Sequence, residues 1–423
     1  MDMDYFVLSL PHRKRVFEGA ENYVARGPAD GDIPGGILTA SASQTIRHSD
    51  IAVESTKLSE SQAREAARDP SNVVAPVMPV TLIKPLKSTL ANKLGDNNPL
   101  AVALNARSSW GIAGVGAETS GLTGAGVTVA ILDTGIDKDH KAFAGVNMIR
   151  QNFAGGDIDD TGDRQGHGTH CAGTVFGRDV DGVRIGVARG VSTAIIGKVL
   201  DDRGRGSTAS VLKALHWVGG QGANVVSMSL GFDFPGMQEQ LVDAGRPKKL
   251  ATSMALKAYR ENLRMFDTLL SFLMLENPAS SGIVVVAASG NESMRDVDPN
   301  FVIDTSLPAA ASANIISVGA IARIGAQFGI APFSNVNPVL CAPGVDIISA
   351  KSGGGLAAMS GTSMACPHVA GLAALWWEWA ANTQGKATGT GVRAQVVASA
   401  KVTDFLPGVA YSDRGSGRAT APF

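Results

Sequence analysis

Apolar residues fall into short, dense runs along most of the chain. From residue 110 onward, runs rich in β-branched residues recur at 126–137, 192–200, 224–231, 282–291 and 314–321. Runs this apolar are typical of strands buried on both faces, as in a parallel sheet covered by helices. The segments between them predict helices at about 167–177, 207–221, 249–275 and 363–381. This alternation predicts an α/β fold with a doubly wound, mostly parallel sheet flanked by helices.

The first hundred residues have a different pattern. Alternating apolar and polar positions predict strands at 5–10 and 51–58, and a helix is expected at 13–25. A stretch rich in Gly, Pro and Ser follows at 27–50 and is expected to be a loop.

The second half of this region supplies the remaining elements of a small unit. In "SESQAREAARDP", Ser59 and Gln62 can form a capping box, so a short helix is predicted at 60–68. The β-rich stretch 73–83 contains two prolines, which suits an edge strand. The resulting order β–α–β–α–β predicts a small α+β unit with a ferredoxin-like arrangement. Residues 84–109, with scattered polar residues, Gly and Pro, are expected to form a linker.

Composition narrows the class of protein. The chain has 423 residues, 44% of them hydrophobic, and a formal net charge of −1, so neither nucleic acid nor an anionic membrane is expected as a partner. Three cysteines argue against a disulfide framework. The N-terminus lacks the pattern of a secretory signal and no apolar run is long enough to span a bilayer. The sequence as written is therefore expected to be cytoplasmic, or secreted if a leader has been lost.

The segment "MSGTSMACPHVAG" (359–371) places Ser363 among small residues just before an apolar helical run. Pro367 is compatible with the first turn of a helix, so Ser363 is expected at or just before a helix N-terminus. Free N–H groups and the helix dipole stabilise an anion there. Ser363 is therefore either a nucleophile or simply an N-cap, and this segment alone does not decide.

A nucleophilic serine needs a base, and the base needs an orienting acid. The segment "DRQGHGTHCAGTVFG" places His167 between glycines at a helix start, and "VAILDTGID" places Asp133 at a strand end. Taken singly, His167 could be a helix cap and Asp133 a loop cap. The chain order Asp, His, Ser differs from that of the α/β-hydrolases. The context G-T-S-M-A also differs from their G-x-S-x-G elbow.

Together, "ILDTGID", "GHGTHCAGT" and "GTSMACPHVAG" resemble the three catalytic signatures of the subtilisin-like serine proteases. The second is especially similar to the proteinase K branch, which also has cysteine at the place of Cys171. The resemblance covers roughly 105–415. It implies a serine endopeptidase that forms an acyl-enzyme and acts on protein or peptide substrates as a monomer.

The resemblance also implies a role for each matching residue. Ser363 would attack the scissile carbonyl, His167 would take and return the proton, and Asp133 would orient the imidazole. Asn291, in "VVVAASGNE", matches the oxyanion asparagine of the family, and the Ser363 N–H would be the second donor.

Two backbone segments match those that bind substrate as an extended strand in the family, which implies broad sequence tolerance. Small residues near them would line the pocket for the residue before the cut and leave room for a large apolar side chain. The two backbone segments are Gly204, Arg205 and Gly206, and Ser229, Leu230 and Gly231. The pocket would be lined by residues 229–231 and by Ala288, Ser289 and Gly290.

The N-terminal region is similar to the inhibitory propeptides of these proteases. The resemblance implies an inhibitory and chaperone prodomain with its linker at 1–100 and a peptidase domain at 101–423. The prodomain would block the cleft in cis until self-cleavage between about 84 and 109.

Other histidines and cysteines within the motifs have simpler interpretations. His170 and His368 occupy helix positions where packing is expected, and His140 has no assigned role. Cys171 and Cys366 are expected to be small buried apolar residues, with a mercurial-sensitive thiol under the active site as the alternative.

No cofactor is expected, and calcium is possible without an assignable site. The acids of "GGDIDDTGD" (155–163) could bind calcium, but a solvated acidic loop is favoured. Two calcium aspartates of the family are absent: Ala142 replaces one, and "VGAIARIGAQ" lacks the other. Thr208 replaces an aromatic residue common at the pocket for the fourth residue before the cut, and Ser227 replaces a common asparagine.

The segment 232–281 is longer than the usual connection, and its latter part has a helical amphipathic period. It is expected to be an added scaffold helix, with a lid or docking surface as the alternative. A rival function for the whole chain is a non-catalytic peptide-binding scaffold with the prodomain held in its cleft. An esterase or acyltransferase on the same site is a further alternative.

Overall fold

The computed structural model of the protein describes residues 3–10, 51–86, 98–277 and 280–423. The predicted helix at 13–25 and the loop at 27–50 lie outside the described residues. No helix in the described part of the chain is both long enough and apolar enough to cross a membrane.

Strands and helices alternate through most of the chain. The strands are β1 (Met3–Ser9), β2 (Ala52–Leu58), β3 (Asn72–Pro76), β4 (Pro79–Leu82), β5 (Thr128–Asp133), β6 (Asn147–Asn152), β7 (Thr193–Lys198), β8 (Arg205–Ser207), β9 (Val225–Met228), β10 (Leu230–Phe232), β11 (Glu276–Asn277), β12 (Ser280–Ser281), β13 (Val284–Ala288), β14 (Ile316–Ile324), β15 (Gln327–Ile330), β16 (Leu340–Pro343), β17 (Ile347–Ala350) and β18 (Leu356–Met359). The helices are α1 (Glu60–Ala66), α2 (Pro99–Ala106), α3 (Trp110–Gly114), α4 (His167–Phe176), α5 (Thr208–Gly220), α6 (Phe234–Asp243), α7 (Lys248–Leu273), α8 (Thr362–Gln384), α9 (Gly389–Ala398) and α10 (Tyr411–Arg414).

An eight-stranded sheet forms the centre of the molecule. Its order is β15-β14-β13-β9-β5-β7-β6, with β16 also paired to β14. All pairs are parallel except β14 with β15. Parallel strands need crossover connections, and helices lie in those from β6 to β7, from β7 to β9 and from β9 to β13. The predicted doubly wound, mostly parallel α/β architecture is therefore confirmed.

Successive side chains of β5 enter two different cores. Val129 and Ile131 pack into one apolar cluster, with residues of α4 and α8. Ala130 and Leu132 pack into the other, with residues of α5 and α7. Because side chains alternate across a strand, both faces of β5 must be apolar, which explains the continuous apolar run in the sequence.

The N-terminal residues form a small antiparallel sheet in the order β2-β1-β3. Ser59 and Gln62 form the predicted capping box at the start of α1. Phe6 and Leu8 of β1 are fully buried in the same cluster as residues of α5 and α7. The N-terminal sheet therefore packs against these two helices of the larger α/β domain.

The prediction of one edge strand over residues 73–83 is right for β3, which lies at the edge of the order β2-β1-β3, and wrong for the rest of the segment. The chain forms two strands, β3 and β4, which belong to different sheets. β4 is the middle strand of the order β10-β4-β8, so both of its edges are paired. Pro79 is tolerated there because it is the first residue of the strand.

Two other segments contain more helix than expected. The predicted linker 84–109 includes α2, whose N-terminus Asn98 caps through its side chain. The segment 232–281 contains two helices, α6 and α7, where one was predicted. Asp233 is the N-cap of α6, and its side chain accepts from the N–H of Gly236. This cap was not predicted from the sequence.

Candidate active site

Asp133 and His167 meet at the carboxyl edge of the central sheet. Asp133 is the last residue of β5 and His167 is the first residue of α4. Nδ1 of His167 lies 2.8 Å from Oδ1 and 3.0 Å from Oδ2 of Asp133, and both side chains are buried. A carboxylate can only accept, so Nδ1 carries the proton and Nε2 keeps its lone pair. Nε2 has no hydrogen-bond partner among the described residues.

Two glycines permit this approach of helix to strand end. A Cβ on Gly168 would lie 2.3 Å from the carbonyl oxygen of Gly135. Gly135 has φ +110°, and a Cβ there would lie 2.5 Å from the carbonyl oxygen of Thr161. A side chain on Gly168 would therefore separate α4 from the end of β5, and one on Gly135 would displace the loop at 161–162 that leads to α4.

A buried carboxylate, Asp163, connects the turn after β5 to the start of α4. Its Oδ1 accepts from Thr134 Oγ1 (2.8 Å) and from the N–H of Gly166 (2.7 Å). Its Oδ2 accepts from the N–H (2.8 Å) and the hydroxyl (2.6 Å) of Thr169. Asp163 thus fixes the residues next to both Asp133 and His167. The prediction of a solvated acidic loop is wrong for this residue.

Ser363 is the second residue of α8, as its position before the apolar run predicted. Its hydroxyl donates to the backbone carbonyl of Ile83 at 3.1 Å. The hydroxyl is therefore directed at a carbonyl of the N-terminal part of the chain.

Pro367 lies in the second turn of α8, one turn later than predicted. A proline lacks the N–H that would bond to the carbonyl four residues earlier, which belongs to Ser363. That carbonyl instead accepts from Ser229 Oγ at 3.3 Å and from the Cys171 thiol at 3.4 Å. The proline therefore lets α4 and the start of β10 bind the backbone of Ser363.

The side chain of Asn291 is fixed by its oxygen. Oδ1 accepts from the N–H and the hydroxyl of Thr362, both at 2.9 Å. Nδ2 donates to the backbone carbonyl of Lys84 at 3.1 Å. Asn291 and Ser363 thus contact the carbonyls of two consecutive residues, Ile83 and Lys84.

Strand β4 occupies the cleft between the two predicted substrate-binding segments. On one side Leu230 and Gly231 pair antiparallel with Leu82 and Thr81. On the other side Gly206 and Arg205 pair with Val80 and Thr81, and the N–H of Leu82 donates to the carbonyl of Gly204 at 2.8 Å. The chain leaves the cleft with Leu86, whose N–H donates to the carbonyl of Ser360 at 2.9 Å.

The third predicted segment ends β13 close to the same place. Ala288 is the last residue of β13, and Ser289 has a buried hydroxyl with no partner among the described residues. Gly290 has φ +112° and donates its N–H to Thr362 Oγ1 at 3.2 Å. Ile83 is 4% exposed, and a Cβ on Gly231 would lie in van der Waals contact with its side chain, at 3.6 Å.

Comparison with known proteins decides the family. A sequence model described as "Subtilase family" matches residues 124–418, which is more than half of the chain. The chain belongs to the subtilase family. The resemblance drawn from the three motifs is thereby confirmed.

Curated relatives of this subtilase are fungal proteins named "Subtilisin-like protease 6". Those of Trichophyton soudanense and Trichophyton rubrum are each 37% identical over 279 residues, covering 63% of this chain and 57% of theirs. That of Arthroderma benhamiae has the same identity and coverage. The chain therefore spans somewhat more than half of the length of these relatives.

Three other histidines in the described part of this subtilase are held by backbone groups. His170 Nε2 lies 3.0 Å from the carbonyl of Ile347, and His368 Nδ1 lies 2.7 Å from that of Met364. Burial lowers the pKa of His170 to about 3 and that of His368 to about 4, so both are neutral. His140 caps a short 3₁₀ turn by accepting from the N–H of Ala142. The predicted packing role of His170 and His368 is confirmed.

The cysteines are also buried. Burial raises the pKa of Cys366 to about 11 and raises that of Cys171 well above its usual value. Both therefore remain protonated thiols, as expected of small buried residues. Asp133, His167 and Cys171 form a cluster of three potential metal ligands in the described part of the chain, in which His167 Nδ1 is already hydrogen-bonded to Asp133.

Two residues that support this site were missed by sequence reasoning. Asp163 was considered only as a member of the acidic loop. Lys198, at the end of β7, is buried and donates to the carbonyls of Thr134 (2.6 Å) and Gly162 (3.1 Å) and to Asp202 Oδ1 (2.8 Å). A lysine at the end of an apolar run was the available signal, since an unpaired lysine is rarely buried.

Proposed function

We propose that this subtilase is a serine endopeptidase whose own N-terminal segment lies in its cleft as a first substrate. The observation that carries the proposal is the contact of the Ser363 hydroxyl with the carbonyl of Ile83, the residue that directly follows a strand paired on both edges. A peptide carbonyl at the nucleophile of a buried Asp–His pair is the arrangement that acyl transfer requires.

The roles of the residues follow from their hydrogen bonds. His167 Nε2 has the free lone pair that can take the proton of Ser363 as the hydroxyl attacks. Asp133 holds the imidazole in this tautomer and stabilises the imidazolium that forms. The proton then passes to the leaving amine, an acyl-enzyme remains on Ser363, and water hydrolyses it by the reverse sequence of proton transfers.

The developing oxyanion needs donors that are already in place. Asn291 is suited to this because Thr362 fixes its Oδ1 and so directs Nδ2 into the cleft. The N–H of Ser363, in the first turn of α8, would be the second donor, and the helix N-terminus adds favourable potential.

The contact between the Ser363 hydroxyl and the Ile83 carbonyl favours a processing bond between Ile83 and Lys84. Nδ2 of Asn291 here donates to the next carbonyl, that of Lys84, and would turn to the Ile83 carbonyl to bind its oxyanion. The sequence placed self-cleavage between about 84 and 109, and this bond directly precedes that range. Residues 1–83 would then be the inhibitory product, held by β4 in the cleft. The burial of Ile83 in an apolar cluster supports a preference for an apolar residue before the cut.

Intact mass spectrometry of the wild type and of Ser363→Ala, each with and without a fluorophosphonate probe, tests the proposal. The wild type is expected to yield a fragment that ends at Ile83 and a fragment that begins at Lys84 and carries the probe on Ser363. Ser363→Ala is expected to remain at 43.5 kDa without label.

A wild type that does not cleave itself, and that stays unlabelled even after limited proteolysis of the first hundred residues, would contradict the proposal. The rival function, a peptide-binding scaffold without catalysis, would then explain the occupied cleft. Hydrolysis of esters without hydrolysis of any peptide would instead favour the esterase alternative.

A further inference from the structure

The side chain of Met78, just before β4, is fully buried in an apolar cluster outside the catalytic residues. The cluster contains Met237 of α6 and Ala255 and Ala258 of α7, with Phe234 and Tyr259 at its edge. Helices α6 and α7, the longer-than-usual segment of the chain, therefore build a pocket beside the cleft.

The backbone of Met78 is held at both of its polar groups. Its N–H donates to Thr208 Oγ1 at 3.0 Å, and its carbonyl accepts from the N–H of Thr208 at 2.9 Å. The next carbonyl, of Pro79, accepts from the N–H of Asp233 at 3.0 Å. Main-chain recognition thus continues beyond the strand pairs of β4, and residues at the starts of α5 and α6 provide it.

Counting back from Ile83 as the residue before the cut, Met78 is the sixth residue. We propose that this protease has a sixth subsite, built by α6, α7 and Thr208, that binds a long unbranched apolar side chain of an extended substrate. This inference rests on the proposed function, because it takes residues 78–83 to lie as a substrate does.

The shape of the pocket determines what it accepts. Ala255 and Ala258 place small side chains on two successive turns of α7, which leaves a channel above the helix surface. A flexible methionine or a similar straight chain can fill such a channel, and Met237 can adjust to it. A charged side chain in the place of Met78 would lose its hydration against Met237, Ala255 and Ala258, which are apolar. The subsite therefore favours Met or norleucine and excludes Asp.

Thr208 has a specific part in this arrangement. A threonine at the start of α5 offers a hydroxyl that accepts and a backbone N–H that donates, in positions that match the two polar groups of one peptide residue. The short side chain also lets the substrate backbone come close to the helix. Substrates would thus be bound over six residues before the cut.

The experiment compares hydrolysis of capped fluorogenic peptides by the processed wild-type enzyme. One series is acetyl-Xaa-Pro-Val-Thr-Leu-Ile, in which Xaa is Met, norleucine, Gly or Asp, and the reference is acetyl-Val-Thr-Leu-Ile. The Met and norleucine peptides are expected to have a kcat/KM about tenfold or more above the Gly and Asp peptides, from burial of one apolar side chain. A peptide with N-methylmethionine should lose most of this gain because it cannot donate to Thr208.

Protein variants locate the effect. Ala258→Phe is expected to fill the pocket and bring the Met-to-Gly ratio of kcat/KM close to one. Met237→Ala provides a second test if Ala258→Phe does not fold, and should shift the preference toward larger side chains. Asp267→Ala, at an exposed position of the same helix, is the matched control and should keep the wild-type ratio.

The outcomes separate the two proposals. Equal hydrolysis of all peptides that share Val-Thr-Leu-Ile would overturn the sixth subsite and leave the endopeptidase proposal standing. A ratio that Ala258→Phe and Met237→Ala both leave unchanged would also overturn it. No hydrolysis of any peptide above the level of Ser363→Ala would overturn the endopeptidase proposal, and the subsite with it.

Discussion

The buried carboxylate of Asp163 provides the sharpest test of how the site is held together. Asp163→Asn keeps the size of the side chain but replaces one acceptor oxygen with an NH₂ group. Each carboxylate oxygen accepts two hydrogen bonds. Two of them must therefore be lost whichever way the amide is turned, and an NH₂ group then faces two donors.

The expected size of the effect follows from these contacts. A hydrogen bond to a charged acceptor contributes about 1.5–3 kcal/mol. The loss of two predicts a decrease of about 3–6 kcal/mol in the free energy of unfolding. The turn after Asp133 and the start of α4 are then held by fewer bonds, among them that from the N–H of Gly168 to Thr134 Oγ1. A shift of 1 Å at His167 would lower kcat by about 100-fold.

Urea denaturation measures the first effect, in a Ser363→Ala background that prevents self-cleavage. Hydrolysis of the tetrapeptide reference, with Ser363 present, measures the second. Asp160→Asn is the matched control, since this carboxylate is in the same loop, is 42% exposed and pairs with Arg164. It should change stability by less than about 1 kcal/mol. Equal effects of the two substitutions would refute the reasoning.

Three further changes have expected outcomes. Asn291→Leu should lower kcat about 10²- to 10³-fold with little change in KM, as loss of one oxyanion donor does. An unchanged kcat would show that Asn291 does not stabilise the oxyanion. The buried neutral His170 and His368 have folded pKa values below the ordinary 6.5, so the unfolded chain binds more protons in acid. Each histidine should therefore decrease the free energy of unfolding by about 2 kcal/mol between pH 6.5 and 5. Denaturation midpoints of the Ser363→Ala protein that do not fall over this range would argue against this linkage. Gly168→Ala should destabilise the fold and reduce peptide hydrolysis, because its Cβ would meet the Gly135 carbonyl; wild-type thermal stability and activity would show that α4 can move away without loss.

Much of the α/β domain could be predicted because its strands are buried on both faces. Val129 to Leu132 can be apolar without interruption only where helices cover the two sides of the sheet. The three motifs were informative for a related reason, since glycines at close approaches such as Gly135 and Gly168 cannot be exchanged freely. Local sequence patterns therefore predict the strands of the central sheet and identify Asp133, His167 and Ser363 as candidate catalytic residues.

Features that depend on distant partners were not predictable in the same way. The segment 73–83 reads as an edge strand because of its two prolines, and only the pairing with β8 and β10 makes β4 a central one. Asp163 reads as one acid of a polar loop, while its donors come from Thr134, Gly166 and Thr169. The position of Pro367 within α8 depends on where the helix begins, and helix boundaries are weakly encoded locally.

The pairing of β4 with two neighbours has a consequence for what the cleft can admit. Neighbouring strands lie about 4.8 Å apart, so removal of Pro79–Leu82 would leave a slot about 10 Å wide between β8 and β10, with unpaired backbone groups along both walls. Strands and helices of a folded protein have already paired the groups that this slot needs, and they cannot enter without local unfolding. Before any side chain is recognised, the slot therefore selects for chain that is free to become extended. For a client protein, the free energy of local unfolding would then control the rate of cutting more strongly than its sequence does.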